Sequence, residues 1–200
     1  MKAVLISIQP KWCELIASGK KTIEVRKTKP KLETPFKCYI YCTSSNVHEC
    51  LMQNESGVKF IRACNYKTAI PIGGQIANGK VIGEFVCDEI FPIRVFENGS
   101  IQDYVCHGME GSCVPYDDIS SYIGNGRTGY GWHISDLVIY DKPQKLKEFK
   151  KAGFLTEEDW LAALYPNTHC HYEAWAKKFE IKKPPQSWCY VEELEGVKII

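Results

Sequence analysis

Two hundred residues, 44% of them hydrophobic and 12% aromatic, supply one sizeable core and are marginal for two, so a single domain over 1–200 is expected. The formal charge of +1 excludes a whole-molecule field that would drive indiscriminate binding to phosphate backbones or anionic membranes, so any nucleic-acid contact has to be local. No stretch approaches the roughly 18 apolar residues of a membrane span, and Met1 to Pro10 is too short for a signal peptide, which predicts a cytoplasmic protein with no membrane partner.

The first apolar run, Val4 to Ile8, predicts a strand. Pro10 then opens a helix in which Trp12, Leu15 and Ile16 recur at helical spacing, and Gly19 caps it. Thr22 to Arg26 alternates, with Ile23 and Val25 on one face and Thr22, Glu24 and Arg26 on the other, the pattern of a half-buried strand. Lys37 to Cys42 is a strand by its aromatic and β-branched content. The polar segment 43–78 lacks sustained periodicity and is longer than a hairpin needs, so it reads as an insertion.

Lys80 to Ile93 predicts one long strand with a bulge or bend at Gly83. Pro115 to Ile123 is a short helix ended by Gly124, Gly129 to Tyr140 a strand, and Thr156 to Leu164 a helix with Thr156 and Asp159 approximating a capping box. Ser187 to Glu192 supplies a closing strand after Pro184 and Pro185. Strands outnumber helices and the helices are scattered among them, which predicts an α+β fold: a small mixed, mainly antiparallel β-barrel with peripheral helices.

Ten cysteines in a chain rich in apolar periodic segments read as reduced thiols. No CxxC pair occurs, Cys38 and Cys42 share one strand, and His169, Cys170 and His171 are adjacent on a loop, so neither a metal nor another cofactor is expected. Cys13 has Ile16 and Ala17 one helical turn further on and reads as a buried, inert thiol.

The densest chemistry lies at Gly19 to Arg26, G-K-K-T-I-E-V-R. Lys21 falls where a helix cap meets a strand. As a base or nucleophile it must lose its proton, which means moving its pKa from about 10.4 to near 7.5 at a cost of roughly 4 kcal/mol. Lys20 and Arg26 push in that direction and Glu24 opposes, so the residues leave the sign open. If Lys21 stays charged, it pairs with a phosphate or a base carbonyl, Arg26 offers a planar fork, and Glu24 accepts from an exocyclic amine. The bland alternative is a Glu24–Arg26 ion pair that closes the barrel end, with Lys21 solvated. Trp132 and His133 follow two glycines in GYGWHIS, where Trp132 either stacks on a flat base or fills the core while His133 faces water. The nucleic-acid set is therefore Lys20, Lys21, Glu24, Arg26, Trp132 and His133.

The same eight residues fit the G-x-K-x-x-E-x-R signature of the ASCH family, and ISIQPKW, GKVIGEF, GYGWHISDLVIYDKP and PPQSWCYVEE extend the resemblance over most of Met1 to Glu193, towards the ASCH proteins of bacteria and their phages. The resemblance implies a fold like that of PUA domains and a partner that is RNA or a modified nucleoside or nucleotide. One branch of the family is similar to amidohydrolases that remove the acetyl group from N4-acetylcytidine with a Lys, a Thr and a Glu. Lys21 matches their lysine, Glu24 stands where they carry the threonine, and Asp117 and Asp118 are stand-ins for their glutamate. On that reading Lys21 and Glu24 are catalytic. A third expectation is an interaction module whose segment 43–78 docks a protein partner.

Overall fold

The computed structural model describes residues 1–44, 50–54, 57–61, 75–103, 109–163 and 169–194. Strand β1 (Lys2–Ile8) carries six consecutive buried residues because it runs through the middle of a sheet with packing on both faces. Val4, Ile6 and Ile8 point into one core with Cys13, Ile16 and Trp132, and the alternate residues Ala3 and Leu5 point into another with Tyr39, Phe149 and Ile181.

Helix α1 (Pro10–Ala17) starts at its proline and lies over the first of these cores. It is followed by β2 (Ile23–Arg26), β3 (Phe36–Cys42), β4 (Cys50–Asn54), β5 (Gly57–Ile61) and β6 (Gln75–Ile76). Strands β4 to β6 form a three-stranded antiparallel sheet of their own within segment 43–78, the segment read from the sequence as an insertion. Within that segment, residues 45–49, 55–56 and 62–74 lie outside the described residues.

The predicted long strand divides into β7 (Lys80–Cys87) and β8 (Ile90–Val95), which belong to different sheets. Gly83 marks a bulge as expected, since Ile82 is skipped where Ile40 pairs with Gly83 and Tyr41 with Val81. Strand β9 (Ile101–Asp103) and helix α2 (Tyr116–Ile123) come next, with Gly124 at φ 97° after the helix. The predicted strand Gly129 to Tyr140 also divides, into β10 (Thr128–His133) and β11 (Ser135–Lys145), with Ile134 crossing between sheets. Helices α3 (Glu157–Ala163) and α4 (His169–Ala176) precede β12 (Trp188–Glu192). The Thr156 hydroxyl accepts from the Asp159 amide at 3.1 Å, the predicted cap.

The first sheet runs β11-β7-β3-β1-β12 and the second β2-β10-β8-β9; of their pairings only β1 with β3 is parallel. The α+β, mainly antiparallel class is as expected. Hydrogen bonding among the described residues does not run round a continuous ring; two sheets pack together and exchange strands at β7/β8 and β10/β11. The second sheet separates the Trp132 core from a third core built of Ile23, Val25, Phe91, Ile93, Ile119 and Ile123. No helix among the described residues is long and apolar enough to cross a membrane.

Candidate functional site

The end of α1 fixes where Lys21 goes. Gly19 adopts φ 72°, its amide bonds to the Ile16 carbonyl at 2.8 Å, and the Lys20 amide reaches the Leu15 carbonyl at 2.9 Å, which is a Schellman closure. The chain reverses, the Thr22 amide takes the Gly111 carbonyl at 2.8 Å, and the Lys21 side chain is turned inward to 2% exposure. Its Nζ donates to the carbonyls of Ser112 at 2.6 Å and Ile23 at 2.8 Å, and lies 3.4 Å from Glu24 Oε2.

Glu24 sits between two cations. Its Oε1 is 2.9 Å from an Arg26 terminal nitrogen, which also donates to the Ser7 carbonyl at 2.6 Å. Arg26 thereby ties β2 to β1, and its other terminal nitrogen is 3.5 Å from Ser187 Oγ ahead of β12. The alternation that suggested a half-buried strand therefore places Glu24 and Arg26 on a face that is buried as well. The polar face of β2 meets β1, α1 and the approach to β12 instead of water.

The electrostatic sign left open by the sequence is now fixed. Burial pushes the Lys21 pKa below its ordinary value, and this outweighs the opposing pull of Glu24; Arg26 adds a smaller push downward. Lys20 plays no part in it, because its side chain is exposed to solvent. Hydrogen-bonding capacity remains in the cluster: Glu24 Oε2, despite its ionic contact, and Arg26 Nε are buried without a hydrogen-bond partner.

Above these groups opens a cavity of about 510 Å³, lined by the three motif charges together with residues of β1, α1, α2 and the segment before β12. Trp12 forms one wall and Tyr122 another, with Ser7, Gln9, Lys11 and Gln186 around them. Asp118, in the first turn of α2, also lines it, while its neighbour Asp117 does not.

The expected residues therefore separate into two groups. Lys21, Glu24 and Arg26 converge on the cavity, and Lys20, Trp132 and His133 are not among the residues that line it. Trp132 has no exposed surface and packs between Phe36 and Trp188, with ring centroids at 6.1 and 6.0 Å, so its core role prevails over stacking on a base. Trp132 pairs with Glu24 across the sheet and shares its face; His133, one residue on, faces the other way and bonds to Asp88 at 2.7 Å. The glycines beside them serve packing: a Cβ on Gly129 would strike Ile123, and one on Gly131 would strike the Phe91 ring.

Trp12 and Tyr122 were not legible as site residues. Trp12 lies in the apolar register of α1 and reads as core, although Lys11 beside it offered a signal, since its ammonium now sits 4.3 Å from the Trp12 ring centroid. Cys13 is buried as expected, and burial pushes its thiol pKa well up. The side chains of His169 and Cys170 lie outside the described residues.

Fold and site together define an α+β domain of two packed sheets with a charged cleft beside the first helix. Residues 6–98 match the family model of the ASCH domain, the family that the resemblance implied. The chain is similar in structure to ASCH from Zymomonas mobilis, at a TM-score of 0.51 and 17% identity over 96% of this chain and 88% of that one. Two point mutants of the Zymomonas protein, one Tyr to Phe and one Ser to Ala, give TM-scores of 0.52 and 0.50 at 17% and 16% identity, with 96% of this chain and 92% and 89% of theirs covered. At that identity the likeness concerns the fold. Among curated proteins none matches.

Proposed function

We propose that this chain binds a nucleoside or nucleotide, free or within RNA, in the cleft between α1, β2 and α2. The observation that carries the reading is the convergence of Lys21, Glu24 and Arg26, with hydrogen-bonding capacity left over, beneath an aromatic-walled cavity of about 510 Å³. That volume lies within the range of small-molecule sites, about 300–1,000 Å³. A base enters between Trp12 and Tyr122, and its polar edge meets the buried charges. Lys11 covers the Trp12 ring in the free protein, but an exposed cation–π contact is worth only about 0.5–1 kcal/mol. Base stacking on an aromatic returns about 1–3 kcal/mol, so displacing Lys11 is favourable.

The amidohydrolase reading has two observations in its favour: burial lowers the pKa of Lys21, and Asp118 lines the same cavity. The surroundings of Nζ weigh against it: two backbone carbonyls accept from it and the Glu24 carboxylate lies 3.4 Å away, which favours the ammonium form, and an ammonium has no lone pair with which to attack or to take a proton. Binding is therefore the better-supported activity.

Incubating the protein with natural and N4-acylated nucleosides and short RNAs, followed by chromatography, separates the two. Retention without new product, weakened by Lys21→Ala, is the expected result. Deacylation that disappears in Lys21→Ala would establish the hydrolase instead, and neither retention nor product would leave an interaction module as the remaining reading.

A further inference from the structure

A second cavity, of about 570 Å³, lies next to the cleft: Pro185 lines it, and the adjacent Gln186 lines the cleft. Its apolar surface comes from Ile181, Cys189 and Tyr190, and its charged groups are Lys2, Lys151 and Lys183. No carboxylate is among the described residues that line it. Glu192, opposite Lys2 in the strand register, is occupied by the Gly153 amide and by the chain's amino terminus at 3.6 Å.

The segment 27–31 runs between residues of the two cavities. Lys27 Nζ lies 4.9 Å from the ring centroid of Tyr122, a cleft residue, and Lys29 Nζ lies 5.4 Å from that of Tyr130. The Lys31 amide then donates to the Tyr190 hydroxyl at 2.6 Å; Tyr190 lines the second cavity, and Lys2 Nζ lies 5.2 Å from its ring centroid. Lysines thus alternate with aromatic rings from one cavity to the other, and this in a chain whose overall charge is only +1.

We propose that the second cavity is a phosphate subsite and the segment 27–31 a backbone track, so that the cleft takes its base from single-stranded RNA; this rests on the cleft being a nucleoside site. A free nucleoside has no use for cations beyond the cleft. A strand with one base in the cleft lays its phosphates past Lys27 and Lys29 towards Lys151 and Lys183, and ring faces beside the cations suit successive bases whatever their sequence. An acidic polypeptide would use the same cations but not the rings.

The test is fluorescence anisotropy of the full chain with a 12-nucleotide single-stranded RNA and, separately, calorimetry with nucleoside monophosphates, for wild type and the exposed double variant Lys151→Gln/Lys183→Gln. The expected result is RNA affinity several-fold weaker in the variant, a slope of log affinity against log salt smaller by about 1.4, and unchanged monophosphate binding. Unchanged RNA affinity and slope in the variant, with monophosphate still bound, would overturn the subsite and leave the cleft standing. Failure of wild type to bind either ligand would remove the cleft reading and the subsite with it. Displacement of RNA by polyglutamate at matched charge would overturn the RNA assignment in favour of an acidic protein partner.

Discussion

Glu24 is the residue on which the site turns. Among the described residues it is the one carboxylate in contact with both Lys21 and Arg26, and all three side chains are buried. Removing one partner of a buried ion pair leaves uncompensated charge and costs about 3–5 kcal/mol, so Glu24→Gln is expected to lose that much in urea unfolding. Lys21 gives a prediction of opposite character. Its folded pKa lies below 10.5, so over the interval up to 10.5 the unfolded chain holds more protons than the folded one and stability rises with pH. The stability of wild type relative to Lys21→Met should therefore grow as pH climbs towards 10.5, measured by paired urea titrations. A constant difference would mean that burial does not perturb Lys21. The identities of these residues and their shared face were legible in the motif; their burial was not, because alternation along β2 says which residues share a face and not what covers it.

At the scale of elements, glycines decide how closely strands and helices approach. A Cβ on Gly83 would meet the Val138 backbone carbonyl, which has nowhere to move, whereas one on Gly131 would meet the Phe91 ring. Overpacking costs about 1–3 kcal/mol, and the two sites should differ in how it is relieved. Gly131→Ala is expected to be partly rescued by Phe91→Leu, and Gly83→Ala by no side-chain change nearby; equal rescue in thermal unfolding would sink that distinction. The sequence placed α1, α2, β3 and the bulge at Gly83 correctly, since each carries a local signal such as Pro10, Gly124 or aromatic alternation. It merged β7 with β8 and β10 with β11, because a strand that leaves one sheet and enters another at Asp88 or Ile134 keeps its apolar pattern throughout. Strands β4 and β5 were not legible within the segment read as an insertion, because its sequence shows no sustained alternation; they pair with each other in a separate sheet.

For the whole molecule, several buried acids set the alkaline limit of stability. Burial raises the thiols of Cys13 and Cys38, carries Cys87 to about 12, and raises the Tyr39 hydroxyl to about 12. In the unfolded chain these groups ionise near 9 and 10, so the stability they contribute is complete below those values and is lost as pH rises towards the folded ones. This loss from several groups opposes the gain from the single group Lys21. Urea midpoints should therefore fall above about pH 9, and Cys38→Ala should flatten the fall. The net charge of the whole chain is only +1, and the proposed base-binding function is localised to the cleft beside α1, where the fold gathers unlike charges in burial.

That localisation is tested most directly by calorimetric titration of nucleoside monophosphates into wild type, Trp12→Ala and His133→Ala. The cleft predicts an affinity loss in Trp12→Ala equivalent to about 1–3 kcal/mol and none in His133→Ala, whose side chain faces away from the charged cluster. Binding that survives Trp12→Ala and fails in His133→Ala would place the site on the other face of β10 and contradict the account.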